Sequence, residues 1–129
     1  ASDHILMGSP EMMLIEAEGL ARTGNASGAS ALLFALQKNR DPFAVASGAT
    51  GSALIEEILL EKRKETYGDA PAVEWFDAKR LGRGIPRTGN QRLKGNSALT
   101  ANDKRFFLKV PQREIDANDN ITEAVNAYR

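Results

Sequence analysis

The chain has 129 residues, 42% of them apolar and 26% charged, which is an ordinary composition for one globular domain. Its 17 basic and 17 acidic side chains cancel, so the charge balance gives no indication of nucleic acid or an anionic membrane as partner. The absence of cysteine excludes disulfides and thiolate metal sites, and no stretch approaches the ~18 consecutive apolar residues of a membrane span.

The first predicted element is a helical hairpin over residues 9–40. Ser9 and Pro10 are expected as the N-cap and first residue of a helix that ends at Gly24. After a short link, a second helix ends at Asp41. Both helices carry apolar side chains at helical spacing: Met13, Leu14, Ala17, Leu20, Ala21, Ala29, Leu32, Leu33 and Leu36. Because the link is short, the two helices are predicted to lie antiparallel.

A loop over residues 43–51 leads to two more helices in residues 52–82, with a break at Gly68. The second of these helices is short and contains two aromatic residues, Trp75 and Phe76. The first is amphipathic. Its apolar side is Leu54, Ile55, Ile58 and Leu59, and its charged side is Glu57, Glu61, Lys64 and Glu65.

The remainder of the chain is predicted to be mostly irregular. Residues 83–104 form a long loop with few apolar side chains, a feature that is commonly functional in a compact domain. In the closing segment, residues 105–129, the run 105–110 favours a strand and residues 112–117 favour one short helical turn. The sequence therefore predicts an all-α fold: a tetratricopeptide-like helical hairpin, further helices, long loops and at most one short strand pair.

Side chains suited to catalysis are scarce. The one histidine, His4, lies close to the beginning of the sequence, so a nucleophile activated by histidine has no credible base. Glu61 and Glu65 share a helix face, and the simpler interpretation is a solvated face or ion pairs with the basic residues between them, rather than an acid/base pair. No metal-ligand spacing, P-loop or dinucleotide fingerprint is present. The sequence predicts a protein that is not an enzyme and uses no cofactor.

The short aromatic helix contains one candidate for ligand binding. An exposed aromatic ring can stack on a sugar ring, and Trp75 is such a candidate, although a place in the core is favoured for both Trp75 and Phe76. Asp77 is expected to be structural, either near Arg63 or paired with Arg80 one helical turn later.

The long loop contains the polar candidates for ligand binding. Arg87, Asn90 and Arg92 are its chief candidates, because planar amide and guanidinium groups can pair with the neighbouring hydroxyls of a sugar. The same composition also describes a solvated loop, so both interpretations remain open at this stage.

Three blocks of the sequence, taken in order, resemble one family. Residues 11–18 are similar to the pattern E-x-x-L-I-x-A-E, and residues 107–118 are similar to a closing I-P-x-x-E-I-x-x-N. Between them, Glu61, Arg63 and Glu65 precede a turn and the run Trp75-Phe76-Asp77-Ala78-Lys79-Arg80. These blocks resemble the SusD/RagB family of outer-membrane nutrient-binding lipoproteins. The turn departs from the family pattern, with Ala70 where a second glycine is usual.

The resemblance implies the C-terminal part of a surface lipoprotein at the cell outer membrane, with its lipid anchor in sequence upstream. Such a protein binds an oligosaccharide or polysaccharide without hydrolysing it and passes it to a SusC-like TonB-dependent transporter. The resemblance makes Glu61, Arg63, Glu65, Asp77 and Arg80 structural residues of the motif. It also implies that most of the family's aromatic glycan platform comes from sequence ahead of these blocks.

The alternative to glycan binding is a helical hairpin that binds a peptide or scaffolds a complex. Stacked helical repeats need about three units to bury a continuous core, and this chain shows one. One helical face is therefore predicted to be exposed, or to be covered by a second copy of the chain.

Overall fold

The computed structural model describes residues 8–67, 73–86, 98–101, 103–106 and 108–126. Over these residues it contains five α-helices, two short 3₁₀ turns and no β-strand, so the predicted all-α fold is confirmed. None of the helices in the described ranges is long and apolar enough to cross a membrane. The chain divides into two compact units, Ala1–Pro71 and Ala72–Arg129.

The first unit consists of three helices: α1 (Ser9–Arg22), α2 (Ala26–Arg40) and α3 (Gly51–Glu65). Helix α1 packs against both α2 and α3. The core that they share consists of fully or almost fully buried apolar side chains: Leu14, Ala17, Ala29, Leu33, Leu36, Leu54 and Ile58. All seven belong to the apolar stripes predicted from the sequence, and burial of each Leu or Ile contributes about 1.5–3 kcal/mol.

The turn between α1 and α2 satisfies the backbone of both helix ends. Gly24 has a φ of 90°, which costs glycine little because it has no Cβ. Its N–H donates to the carbonyl of Ala21 (3.3 Å), and the N–H of Asn25 donates to the carbonyl of Leu20 (2.9 Å), which is a Schellman motif. Asn25 is also the N-cap of α2, since its Oδ1 accepts from the N–H of Gly28 at 3.0 Å. This compact turn produces the helical hairpin expected from the sequence.

The link from α2 to α3 is a loop, as predicted. Its first turn is held by Asp41, whose Oδ1 accepts from the N–H of Phe43 at 2.8 Å. Ser30 on α2 donates from its hydroxyl to the carbonyl of Ser47 (3.3 Å), and Ala49 packs against the core. The loop is therefore attached to the hairpin at its middle, while Phe43 points into solvent with 90% of its surface exposed.

Two local predictions are wrong. Helix α1 has Gly8 rather than Ser9 at its N-cap, and no side chain accepts a hydrogen bond there. The predicted strand at residues 105–110 does not form: its beginning belongs to a 3₁₀ turn, Lys104–Phe106, and residues 108–110 are irregular. A strand needs a partner for its backbone groups, and the one pairing in the described ranges joins Ile85 to Leu99 instead.

In its described residues, the second unit has little regular structure. It contains α4 (Val73–Arg80), α5 (Gln112–Ala117), and the 3₁₀ turns Lys104–Phe106 and Glu123–Asn126. Helix α5 coincides with the helical turn predicted at residues 112–117. The small core of this unit consists of Ala78, Leu99 and Phe106, with Trp75 and Ile85 packed against it.

Candidate functional site

The ligand-binding candidates of the sequence analysis, which are Trp75, Arg87, Asn90 and Arg92, all belong to the second unit. Trp75 projects from α4 onto Phe106, with ring centroids 4.8 Å apart and planes inclined by 47°. Such a tilted pair is a favourable aromatic geometry, contributing about 0.5–1.5 kcal/mol beyond the buried area. Trp75 is half-buried. The predicted place of Trp75 in the core is therefore correct for the part of the ring that packs on Phe106, and part of its surface remains exposed.

Both ends of the predicted ligand-binding loop meet at this core. The N–H of Ile85 donates to the carbonyl of Leu99 (2.8 Å), and the N–H of Leu99 donates back to the carbonyl of Ile85 (3.1 Å), forming an isolated antiparallel bridge. Arg87, Asn90 and Arg92 are in the segment that this bridge closes, and they lie outside the described residues. What the structure brings together is Trp75 and the two ends of that segment.

The bridge depends on a close approach of backbone at Gly84. A Cβ added to this residue would lie 2.2 Å from the carbonyl oxygen of Leu99, well inside van der Waals contact. Only glycine therefore fits without a shift of the backbone. This requirement is invisible in the sequence, where Gly84 is one of several loop glycines.

Arg105 forms hydrogen bonds at the second end of the loop. It donates from Nη2 to the carbonyl of Ala98 at 2.8 Å, and from Nε and Nη2 to the two carboxylate oxygens of Asp103 at 2.9 and 2.7 Å. The hydrogen bond to Asp103 raises the pKa of Arg105 above its ordinary value. A guanidinium bound to both carboxylate oxygens is a geometrically specific contact, so the turn before Phe106 is held in one arrangement. Sequence reasoning did not assign this role to Arg105.

Helix α4 confirms one prediction from the sequence and contradicts another. Arg80 donates to Oδ1 of Asp77 from Nε (3.1 Å) and Nη2 (2.8 Å), which confirms the expected pairing of these two residues. Phe76, expected in the core, is 63% exposed. Trp75 and Ala78 turn towards the core of the unit, and Phe76 points away from it because consecutive helical residues are rotated by about 100°.

Two of the charged motif residues of α3, Glu61 and Glu65, contact polar side chains of α2. Glu61 is buried, accepts from Nζ of Lys64 at 3.0 Å, and has Nε2 of Gln37 on α2 at 3.4 Å. Glu65 binds Arg40 of α2, with Nε at 3.2 Å from its Oε2. The predicted ion pairing is thus confirmed for Lys64.

The sequence analysis did not predict Gln37 and Arg40 of α2 as partners of these carboxylates. The apolar pattern of one helix does not show which residue of another helix lies opposite. Arg63, the third motif residue of α3, is exposed.

A shallow concavity in the second unit adds a feature that the sequence did not indicate. Its volume is about 440 Å³, and its lining includes Lys109, Pro111 and Gln112. One wall is fixed by Asn126, whose amide accepts from the N–H of Val110 (3.0 Å) and donates to the carbonyl of Val110 (3.1 Å). In the part of the chain that the structure describes, no group of three or more histidine or acidic side chains is placed to hold a metal ion.

Comparisons with protein-family models, with the sequences of curated proteins and with solved structures found no match to this chain. The resemblance to SusD/RagB proteins therefore depends on the three sequence blocks alone. Glycan binding, the transporter partner and the outer-membrane location remain predictions.

Proposed function

We propose that this chain is the C-terminal portion of a SusD-like outer-membrane lipoprotein, which binds oligosaccharide and delivers it to a TonB-dependent transporter without hydrolysing it. The observation that carries this proposal is the arrangement around Trp75. The bridge from Ile85 to Leu99 closes the segment that contains Arg87, Asn90 and Arg92. Leu99 belongs to the apolar cluster against which Trp75 packs, and Ile85 packs against the same cluster.

The residue types in this region of the sequence suit sugar binding on chemical grounds. An aromatic ring offers a flat apolar face to the C–H groups of a pyranose, and guanidinium and amide groups offer paired donors and acceptors to its hydroxyls. Glycoside hydrolysis would instead require two carboxyl groups across one bond. Asp77, Glu61 and Glu65 are each engaged by a basic side chain. The proposal therefore gives these three carboxylates a structural role.

Titration of the purified chain with a panel of maltohexaose, cellohexaose, xylohexaose and mannohexaose tests the proposal. We expect saturable heat release in isothermal titration calorimetry with at least one member, and no increase in reducing ends on prolonged incubation with it. An increase in reducing ends would replace the proposal with a glycosidase. The absence of binding to every member would remove the support for glycan capture by these residues.

A peptide-binding helical hairpin is the second candidate, and one observation favours it. Met12 and Ile15, three residues apart on α1, remain 44% and 43% exposed although α1 packs against two other helices. Residues at this spacing share a helix face, and an apolar face can take an amphipathic peptide. A random peptide library that competes with the bound hexaose, or binds where no hexaose does, would favour this candidate.

A further inference from the structure

The charge of the chain is divided unevenly between its two units, although its overall balance is zero. The second unit, Ala72–Arg129, carries eleven basic and seven acidic side chains, whereas the first carries six and ten. Ten of those eleven basic side chains lie between Lys79 and Arg113, and Asp103 is the one acidic residue in that range. Residues 79–113 therefore have a formal charge of +9. Such asymmetry within a neutral chain indicates contact with an anionic ligand or partner.

The basic side chains of this range lie on the surface wherever the structure describes them. Asp103 is already bound by Arg105 through both of its carboxylate oxygens. The acidic residue inside the range is therefore engaged by one of the ten basic side chains. In the described part of the range, the exposed basic side chains are Lys79, Arg80, Arg83, Arg105, Lys109 and Arg113.

Two of these cations, Lys109 and Arg113, form no ion pair with another described residue. Lys109 lines the concavity of about 440 Å³, together with Gln112 and Asn126. Arg113 directly follows Gln112 on α5. An ammonium group in a concavity, followed four residues later by an exposed guanidinium group, provides two cations that a carboxylate ligand can engage.

A carboxylate-bearing sugar suits this charge better than a neutral one. Guanidinium groups bind carboxylates through two parallel hydrogen bonds, and ammonium groups bind them as point charges. A neutral sugar uses only the hydrogen-bonding capacity of such groups and gains nothing from their charge. Arg87 and Arg92, the basic ligand-binding candidates of the sequence analysis, also belong to the range 79–113.

A nucleic acid is less well matched to the chain as a whole. It carries a negative charge at every nucleotide, and its binding depends on a surplus of basic side chains. The overall charge of this chain is zero, because the acidic residues outside the range offset the basic ones inside it. An acidic oligosaccharide is short enough to need only a few of the cations.

We propose that the oligosaccharide bound by this chain is acidic, and that cations of the range 79–113, with Lys109 and Arg113 among them, pair with its carboxylates. This inference rests on the proposed glycan-binding function and names the class of sugar that is bound.

Hexagalacturonate and its methyl ester are the matched probes, because they share one backbone and differ in charge. In isothermal titration calorimetry with the unmodified chain, we expect the acid to bind at least about tenfold more tightly than the ester. Its affinity is also expected to fall about tenfold between about 0.05 and 0.5 M NaCl, because salt screens exposed ion pairs. The affinity of the ester is expected to change little.

Two double variants locate the contact in the chain. Lys109→Gln combined with Arg113→Gln is expected to raise the Kd for hexagalacturonate about fivefold, the effect of losing two exposed ion pairs. The matched control is Lys38→Gln combined with Lys64→Gln, which removes two exposed lysines from the first unit and gives the chain the same net charge. It is expected to leave Kd within about twofold.

The outcomes separate this inference from the proposed function. If a neutral hexaose binds and hexagalacturonate binds no more tightly than its ester, the inference is wrong and glycan binding stands. Equal effects of the two double variants would mean that net charge, rather than Lys109 and Arg113, determines the affinity, which contradicts the assignment. Tighter binding of poly(U) than of hexagalacturonate would assign the basic range to nucleic acid and overturn the inference. If neither the neutral hexaoses nor hexagalacturonate bind, the proposed function and the inference both fail.

Discussion

Trp75 and Phe76 are adjacent aromatic residues with opposite environments. The ring of Trp75 packs on Phe106, and the ring of Phe76 is mostly in solvent. The sequence of α4 does not decide which of the two rings is buried, because the helix is short and its apolar stripe contains few residues. What decides between them is the position of Phe106, which is contributed by a different part of the chain.

Helix α3 also carries one buried and one exposed apolar side chain, and this difference predicts the effect of single substitutions on stability. Ile58 is completely buried, whereas Leu60 on the same helix is 51% exposed. Ile58→Ala removes buried methylene groups and leaves a cavity, so we expect it to lower the free energy of unfolding by about 2–5 kcal/mol. Leu60→Ala is the matched control, with an expected change within about 0.5 kcal/mol.

Urea denaturation followed by circular dichroism at 222 nm measures both variants. Equal losses from the two would mean that α3 does not present Ile58 to α1 and α2.

At the scale of elements, the bridge from Ile85 to Leu99 joins the two ends of the segment that contains three of the ligand-binding candidates. Two backbone hydrogen bonds bring together residues fourteen positions apart, and Arg105 fastens the carbonyl of Ala98 just beside them. An isolated bridge of this kind has no sheet to support it. Its persistence depends on the close backbone approach at Gly84 and on the packing of its two side chains against Ala78 and Phe106.

Substitution of Gly84 tests the bridge directly. Gly84→Ala would place a Cβ 2.2 Å from the carbonyl oxygen of Leu99, so the two backbones must separate. Each hydrogen bond lost contributes about 0.5–1.5 kcal/mol, and we expect amide exchange at Ile85 and Leu99 to accelerate about tenfold, as measured by NMR. Gly48→Ala is the control, because an added Cβ there meets nothing within 4 Å.

Unchanged exchange at both amides in Gly84→Ala would contradict the bridge. Acceleration in Gly48→Ala as well would point to a general loss of stability instead.

At the scale of the whole molecule, the chain consists of two compact units with separate cores. The core of the first lies entirely on α1, α2 and α3, and that of the second on α4 and the segments around the bridge. The motif residues of the SusD/RagB resemblance are divided between the units, with Glu61, Arg63 and Glu65 in the first and Asp77 and Arg80 in the second.

A core that is complete within one unit predicts that the unit folds by itself. We expect a polypeptide of residues 1–71 to show helical circular dichroism and a cooperative urea transition, because all seven buried apolar residues of this core lie within it. The control is residues 1–50, which lacks α3 and with it Leu54 and Ile58. That shorter chain is expected to lose the cooperative transition, and a non-cooperative transition in residues 1–71 would contradict a self-sufficient core.

Local periodicity determined most of the first unit. The spacing of apolar side chains in residues 9–40 and 52–65 predicts the three helices and the residues of their core, because a helix returns to the same face every 3.6 residues. The turn at Gly24 was predictable for a similar reason, since helix ends select glycine for its positive φ. The pairing of Asp77 with Arg80 also follows from spacing within one helix.

Contacts between distant segments were decided only by the tertiary structure. Gln37 and Arg40 of α2 contact carboxylates of α3, and Ile85 pairs with Leu99. These contacts, and the outward position of one ring of α4, depend on which residues lie opposite in space. A sequence pattern describes one face of one element and contains no information on its partner. For that reason the sequence by itself determined the helices of the first unit, and only packing decided which aromatic side chain of α4 faces the core and which faces solvent.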